Sequence, residues 1–133
     1  MGIQYSFRRY EKKYFLSPRQ QEQLLQRIAP YMKEDAFGSY TICNIYYDTP
    51  EWRLIRASLE KPAYKEKLRV RSYGVPTETD RVFVELKKKF DGVVYKRRIT
   101  TEVPQVEPLL CGSTEAKCQI GREIQWFQRQ NRT

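Results

Sequence analysis

Apolar and polar residues alternate along "YKEKLRVRSYG", Tyr64 to Gly74. In an extended chain successive side chains point to opposite faces, so Lys65, Lys67, Arg69 and Arg71 share one face while Glu66, Leu68, Val70 and Ser72 share the other. The same period recurs in "RVFVELKKK", where Val82, Val84, Leu86 and Lys88 form the core side against Arg81, Phe83, Glu85 and Lys87. In "GVVYKRRIT" Lys96 and Arg98 share a face with Val94, opposite Tyr95, Arg97 and Ile99, and the first set is assigned to the cationic side. "FRRYEKKYFL" is a further strand with both faces mixed: Arg9, Glu11, Lys13 and Phe15 oppose Tyr10, Lys12, Tyr14 and Leu16. "SYTICNIYYDT" is β-branched and aromatic, and reads as a strand. "FDG" joins two of these strands and predicts a tight Asp-Gly hairpin.

Between the strands the period lengthens to that of helices. "SPRQQEQLLQRIAPY" predicts a helix capped by Ser17, with Pro18 in the first turn and an apolar stripe of Leu24, Leu25 and Ile28, expected to pack as a cover. "PEWRLIRASL" predicts a short helical turn starting at Pro50, after an Asp48 that ends the preceding strand. Arg53 and Arg56 on it are expected to snorkel over the end of the sheet. The closing segment, "STEAKCQIGREIQWFQRQNRT", places Ile120, Ile124 and Phe127 on one helical face. No repeat or low-complexity linker interrupts the series, so one domain is expected.

The chain has 133 residues and a net charge of +9, from 25 Lys and Arg against 16 Asp and Glu. That excess favours polyanionic partners such as nucleic acid, phosphate chains or anionic membrane. No apolar run approaches the roughly 20 residues of a membrane span and "MGIQYSFRRY" lacks the apolar core of a secretion signal, so a cytoplasmic location is expected. The first six residues fit the loose Met-Gly-x-x-x-Ser lipidation pattern, a match common by chance. Cys43, Cys111 and Cys118 are odd in number and read as free thiols. With no His, the commonest general base and the usual zinc spacings are excluded, which leaves carboxylates, cations or a metal for any chemistry.

A sheet has only two edges, so charged faces on four strands exceed what edge protection needs. The cations are therefore expected to share a surface. An antiparallel sheet with helices outside and cations inside would curl into a basic trough or tunnel. Packed like charges repel unless an anion or an interleaved carboxylate offsets them. Glu11 and Glu85 are placed for that, either as ion-pair partners of Lys13 and Lys87 or as holders of a divalent cation beside bound phosphate. Tyr46 and Tyr47 are assigned to packing, and Lys88 and Lys89 to solvent.

"YEKKYFLS", "NIYYDT", "KEKLRVRSYG", "VFVELKKK" and "GVVYKRRI", in that order, resemble the bacterial branch of the VTC (vacuolar transporter chaperone) domain, the polyphosphate polymerase group of the triphosphate tunnel metalloenzyme (CYTH-like) superfamily. The resemblance runs from about Phe7 to the end of the chain. It implies an α+β fold, an antiparallel β-barrel tunnel, here partial, with helices packed outside. It also implies transfer of the terminal phosphoryl group of ATP to a polyphosphate chain, with manganese or magnesium required. The positions it marks for phosphate are Lys13, Lys67, Arg69, Arg71, Lys87, Lys96 and Arg98, and for metal Glu11 and Glu85; no catalytic side chain is assigned. Arg9 stands where the superfamily's first strand carries another Glu, which weakens a two-carboxylate metal site there.

The family domain is longer than this chain, so residues 1–133 are expected to form the N-terminal part of one tunnel domain, with later strands absent and little or no polymerase activity alone. Two chains pairing to close the half-barrel, and a membrane-protein partner, are further expectations from the resemblance. The alternatives are a non-catalytic polyphosphate or triphosphate sensor or assembly subunit, a triphosphatase, and a nucleic-acid-binding module. The last is disfavoured because the aromatic residues scatter over both parities and build no stacking platform.

Overall fold

The computed structural model describes residues 6–131. Within them the chain runs β1 (Ser6–Tyr10), α1 (Pro18–Ile28), β2 (Ile42–Tyr47), α2 (Arg53–Leu59), β3 (Tyr64–Tyr73), β4 (Arg81–Phe90), β5 (Val93–Glu102), α3 (Val106–Cys111) and α4 (Gln119–Asn131). The strands form one antiparallel sheet in the order β1-β5-β4-β3-β2, which is not closed into a barrel. The lipidation pattern at the first six residues falls, but for Ser6, outside the described residues.

Alternation becomes two chemically distinct faces. Leu68, Val82, Val84 and Leu86 project from the outer face and are buried against Val106, Leu109 and Leu110 of α3 and Ile124 and Phe127 of α4. Burying such side chains contributes about 1.5–3 kcal/mol each, so this layer is the main source of stability. Gln125 secures it at one end, its side-chain amide donating to the carbonyls of Leu109 at 3.0 Å and Thr114 at 2.7 Å. The β4–β5 hairpin turns on Asp91 and Gly92, both at positive φ, as a two-residue turn of this hand requires.

Several elements differ from the sequence expectation. The first strand ends at Tyr10, so Glu11 and Lys13 follow in irregular chain. Ser17 does cap α1, completing a capping box with Gln20, but α1 covers nothing: none of its residues is buried, and Leu24 and Leu25 stay exposed. The apolar face of the sheet is filled by α3 and α4, and no residue of α1 joins that cluster. The helix after Pro50 starts three residues late, at Arg53. Asp48 accepts from the backbone N–H groups of Thr49, Leu54 and Ile55, and Thr49 from that of Arg53, so the intervening residues are held as a turn. Arg53 reaches the Asn131 side chain at 2.6 Å, linking α2 to α4. α3 lies in a stretch for which the sequence pattern predicted no element. The three cysteines are free thiols.

Candidate phosphate-binding face

The other face carries the cations, and strand register sorts them into rows. Arg69 lies opposite Glu85, and Glu85 opposite Arg98. One step along, Lys67 lies opposite Lys87, and Lys87 opposite Lys96. A third row sets Lys65 against Lys89. Neighbouring strands are about 5 Å apart, so the middle row confines three ammonium stems to a band of roughly 10 Å. Like charges set directly opposite destabilise a sheet. This row therefore stores repulsion that a bound anion would relieve.

Glu85 is the centre of the first row. Its side chain is 0% exposed, in ion pairs with Arg69 at 2.6 Å, Lys96 at 3.7 Å and Arg98 at 3.8 Å. The carboxylate thus bonds to strands on both sides rather than to Lys87, the partner that spacing along the chain suggested. Arg69 also donates to the Tyr46 hydroxyl at 3.1 Å. Arg98 stacks over Phe83 with its guanidinium carbon 4.5 Å from the ring centre, and Lys96 sits 4.1 Å from that of Phe7. Such cation–π contacts fix the long side chains and partly replace the water they lose.

Glu11, Lys13, Lys65, Lys67, Lys87 and Lys89 line a cavity of about 270 Å³ at the lysine-rich end of this face. Glu11 pairs with Lys13 at 3.5 Å, as the spacing suggested. Burial raises the Glu11 carboxyl, but the charges of Lys87 and Lys13 outweigh it and hold the group below its ordinary value. Lys87 is pushed below the ordinary lysine value by burial and then by the charge of Arg69. Lys96 is lowered by burial, with Glu85 opposing and Arg98 reinforcing the shift. Lys65 is lowered by burial and then by Lys67 and Lys89.

Of the positions marked by resemblance, Lys67, Arg69, Arg71, Lys87, Lys96 and Arg98 stand on one face, and Lys13 lines the cavity at one end. Arg71 is turned towards β2, its Nε donating to Asn44 at 2.9 Å. Lys89, assigned to solvent from the sequence, lines the cavity as well. Its parity with Glu85 and Lys87 was the available signal. Lys88 also borders the cavity, although its parity is that of the opposite face and its ammonium pairs with Glu66 at 3.7 Å.

Of the two carboxylates marked for a metal, Glu11 lines the cavity beside Lys13, and Glu85 is buried among Arg69, Lys96 and Arg98. Among the described residues no group of three or more His, Cys, Asp or Glu is placed to hold a metal ion. Glu85 Oε1 is buried and takes no hydrogen bond, yet two cations lie within 4 Å of it and Arg69 holds the other oxygen. A divalent ion there would meet three positive charges and one carboxylate, against the usual set of several oxygen ligands. Glu85, already surrounded by three cations, does not by itself fit a resident divalent cation.

The described residues thus form an unclosed antiparallel sheet with one apolar face under helices and one face of registered cations. The chain belongs to the VTC domain family, whose model matches residues 8–132. No curated protein and no solved structure matches it. No helix among the described residues is long and apolar enough to cross a membrane.

Proposed function

We propose that this chain supplies part of a polyphosphate polymerase-type site, in which the cationic face grips the triphosphate of ATP and the end of a polyphosphate chain. The observation that carries the reading is the Lys67–Lys87–Lys96 row beside the Arg69–Glu85–Arg98 row. A terminal phosphate oxygen of the chain would attack the γ-phosphorus of ATP, forming a new phosphoanhydride bond as the bond to the β-phosphate breaks and ADP leaves. Such a transfer needs in-line positioning and charge stabilisation more than a side-chain nucleophile. Fixed cations supply both. A cytoplasmic setting, where ATP is available, accompanies this reading. Manganese or magnesium belongs to it as a counter-ion carried on the phosphates, with no step assigned to it.

A non-catalytic polyphosphate or triphosphate sensor is the second reading, favoured by the saturation of Glu85 with cations. The triphosphatase alternative needs more metal-binding carboxylate than the Glu11 and Glu85 positions bring together. In either reading residues 1–133 are the N-terminal part of a single tunnel domain. The outer edges of β1 and β2 are unpaired with any other described strand, and exposed edges invite pairing. A second copy closing the face would sediment as a dimer; a monomer at all accessible concentrations would refute that arrangement. A membrane-protein partner receiving the polymer remains part of the family-based proposal.

Calorimetric titration with inorganic triphosphate tests the phosphate reading. The wild-type chain is expected to bind, and Lys67→Ala with Lys87→Ala to lose about a hundredfold or more in affinity, since each of the two charge-assisted contacts contributes roughly 1.5–3 kcal/mol. The double variant should also melt no lower than wild type, because the removed charges repel. Equal affinity in the two proteins would refute the assignment. The lowered Lys87 and Lys96 values give the pH dependence: the unfolded chain holds these protons more tightly than the folded one. Their contribution to stability is therefore present above the ordinary lysine value of 10.5 and lost as pH falls through the lowered folded values. Phosphate reverses the shift, so binding should take up protons and weaken as pH rises through those values.

A further inference from the structure

A second cavity, of about 440 Å³, opens beside the cationic face where β2 runs into the turn before α2. Its walls include Tyr46, Trp52, Ile55 and Lys67, with Asp48 as their acidic neighbour. Tyr46 and Lys67 belong to the cationic face, so the cavity continues from it. Trp52 is 66% exposed and sits in the left-handed backbone region at φ 58. That conformation is uncommon for a bulky residue and costs on the order of 1 kcal/mol. The backbone there makes the turn into α2, the Trp52 N–H donating to the Thr49 carbonyl and the Trp52 carbonyl accepting from Arg56, but core packing does not explain the exposed indole.

We propose that this cavity receives the base of a nucleoside triphosphate whose phosphates lie on the lysine row. The inference rests on the phosphate reading above and adds where the uncharged end of the donor goes. Charge sorts the two ends: Asp48 repels phosphate from the cavity, while Lys67 stands at the boundary and draws it towards Lys87 and Lys96. The Trp52 and Tyr46 rings offer π faces to a planar heterocycle, a contact that tolerates any base. A single pocket of this kind suits one mononucleotide rather than a run of stacked bases.

The test compares ATP with inorganic triphosphate on the full chain. Trp52→Ala is expected to weaken ATP about tenfold, the scale of one base–aromatic stack, and to leave triphosphate affinity within twofold. Trp52→Phe should restore most of the loss. The chain has two tryptophans, so Trp126→Phe isolates Trp52 without touching this region; in that protein ATP should quench the emission and triphosphate should not. This readout decides the matter even if Trp52→Ala folds poorly. Triphosphate binding with no Trp52 dependence and no ATP-specific quenching would overturn the base site and leave the phosphate reading standing. Failure of both ligands to bind would overturn both. Single-stranded RNA displacing ATP at equal phosphate concentration and quenching Trp52 more strongly would overturn the mononucleotide assignment.

Discussion

Glu85→Gln is expected to lower the stability of this protein by about 3–5 kcal/mol, the usual cost of removing one partner from a buried ion pair. The side chain is fully buried, and its three cationic partners are 6%, 10% and 13% exposed, so solvent screens the cluster little. Glutamine keeps the shape but leaves Arg69, Lys96 and Arg98 facing one another without a counter-charge. Thermal unfolding followed by circular dichroism should show a midpoint lower by about 10 °C or more. An added anion offsets the loss: inorganic triphosphate should raise the midpoint of the variant more than that of the wild type, because a ligand that binds only the folded state stabilises it by mass action. A variant melting within 2 °C of wild type would mean that Glu85 is not the element that makes this concentration of charge tolerable.

Phe127→Ala should cost as much by a different route. Phe127 is 1% exposed and packs in the layer formed by α4, α3 and the outer face of the sheet. Truncating a buried phenylalanine removes about 3–5 kcal/mol, through lost burial and the cavity left behind. Its neighbour Trp126, on the same helix but 55% exposed, provides the control: Trp126→Ala should stay within about 0.5 kcal/mol. Equilibrium urea unfolding of the two variants measures both. Equal destabilisation would mean that α4 presents a different face to the sheet.

These effects trace back to residues whose roles were unequally legible in the sequence. Side-chain parity is a property of the extended backbone alone, so the separation of Lys65, Lys67, Arg69 and Arg71 from Leu68 and Val70 followed from spacing, as did the Ser17 cap, the Asp91-Gly92 turn and the Ile124 and Phe127 face of α4. One further feature was within reach. A two-residue turn fixes hairpin register, and counting outward from Asp91 and Gly92 sets Lys87 opposite Lys96 and Glu85 opposite Arg98.

Tertiary structure decided the rest. A seven-residue loop, 74–80, separates β3 from β4 and leaves their register open, so the alignment of Lys67 with Lys87 and of Arg69 with Glu85 came only from strands settling against a shared core. That alignment turned Glu85 from a presumed neighbour of Lys87 into the hub of three cations. The amphipathic stripe of α1 gave the helix correctly but not its surroundings, because periodicity says which face is apolar and nothing about what covers it. Trp52 and Tyr46 were indistinguishable from packing residues until the turn before α2 set them around one cavity. Local alternation thus determined which faces carry charge, whereas long-range pairing determined which charges meet.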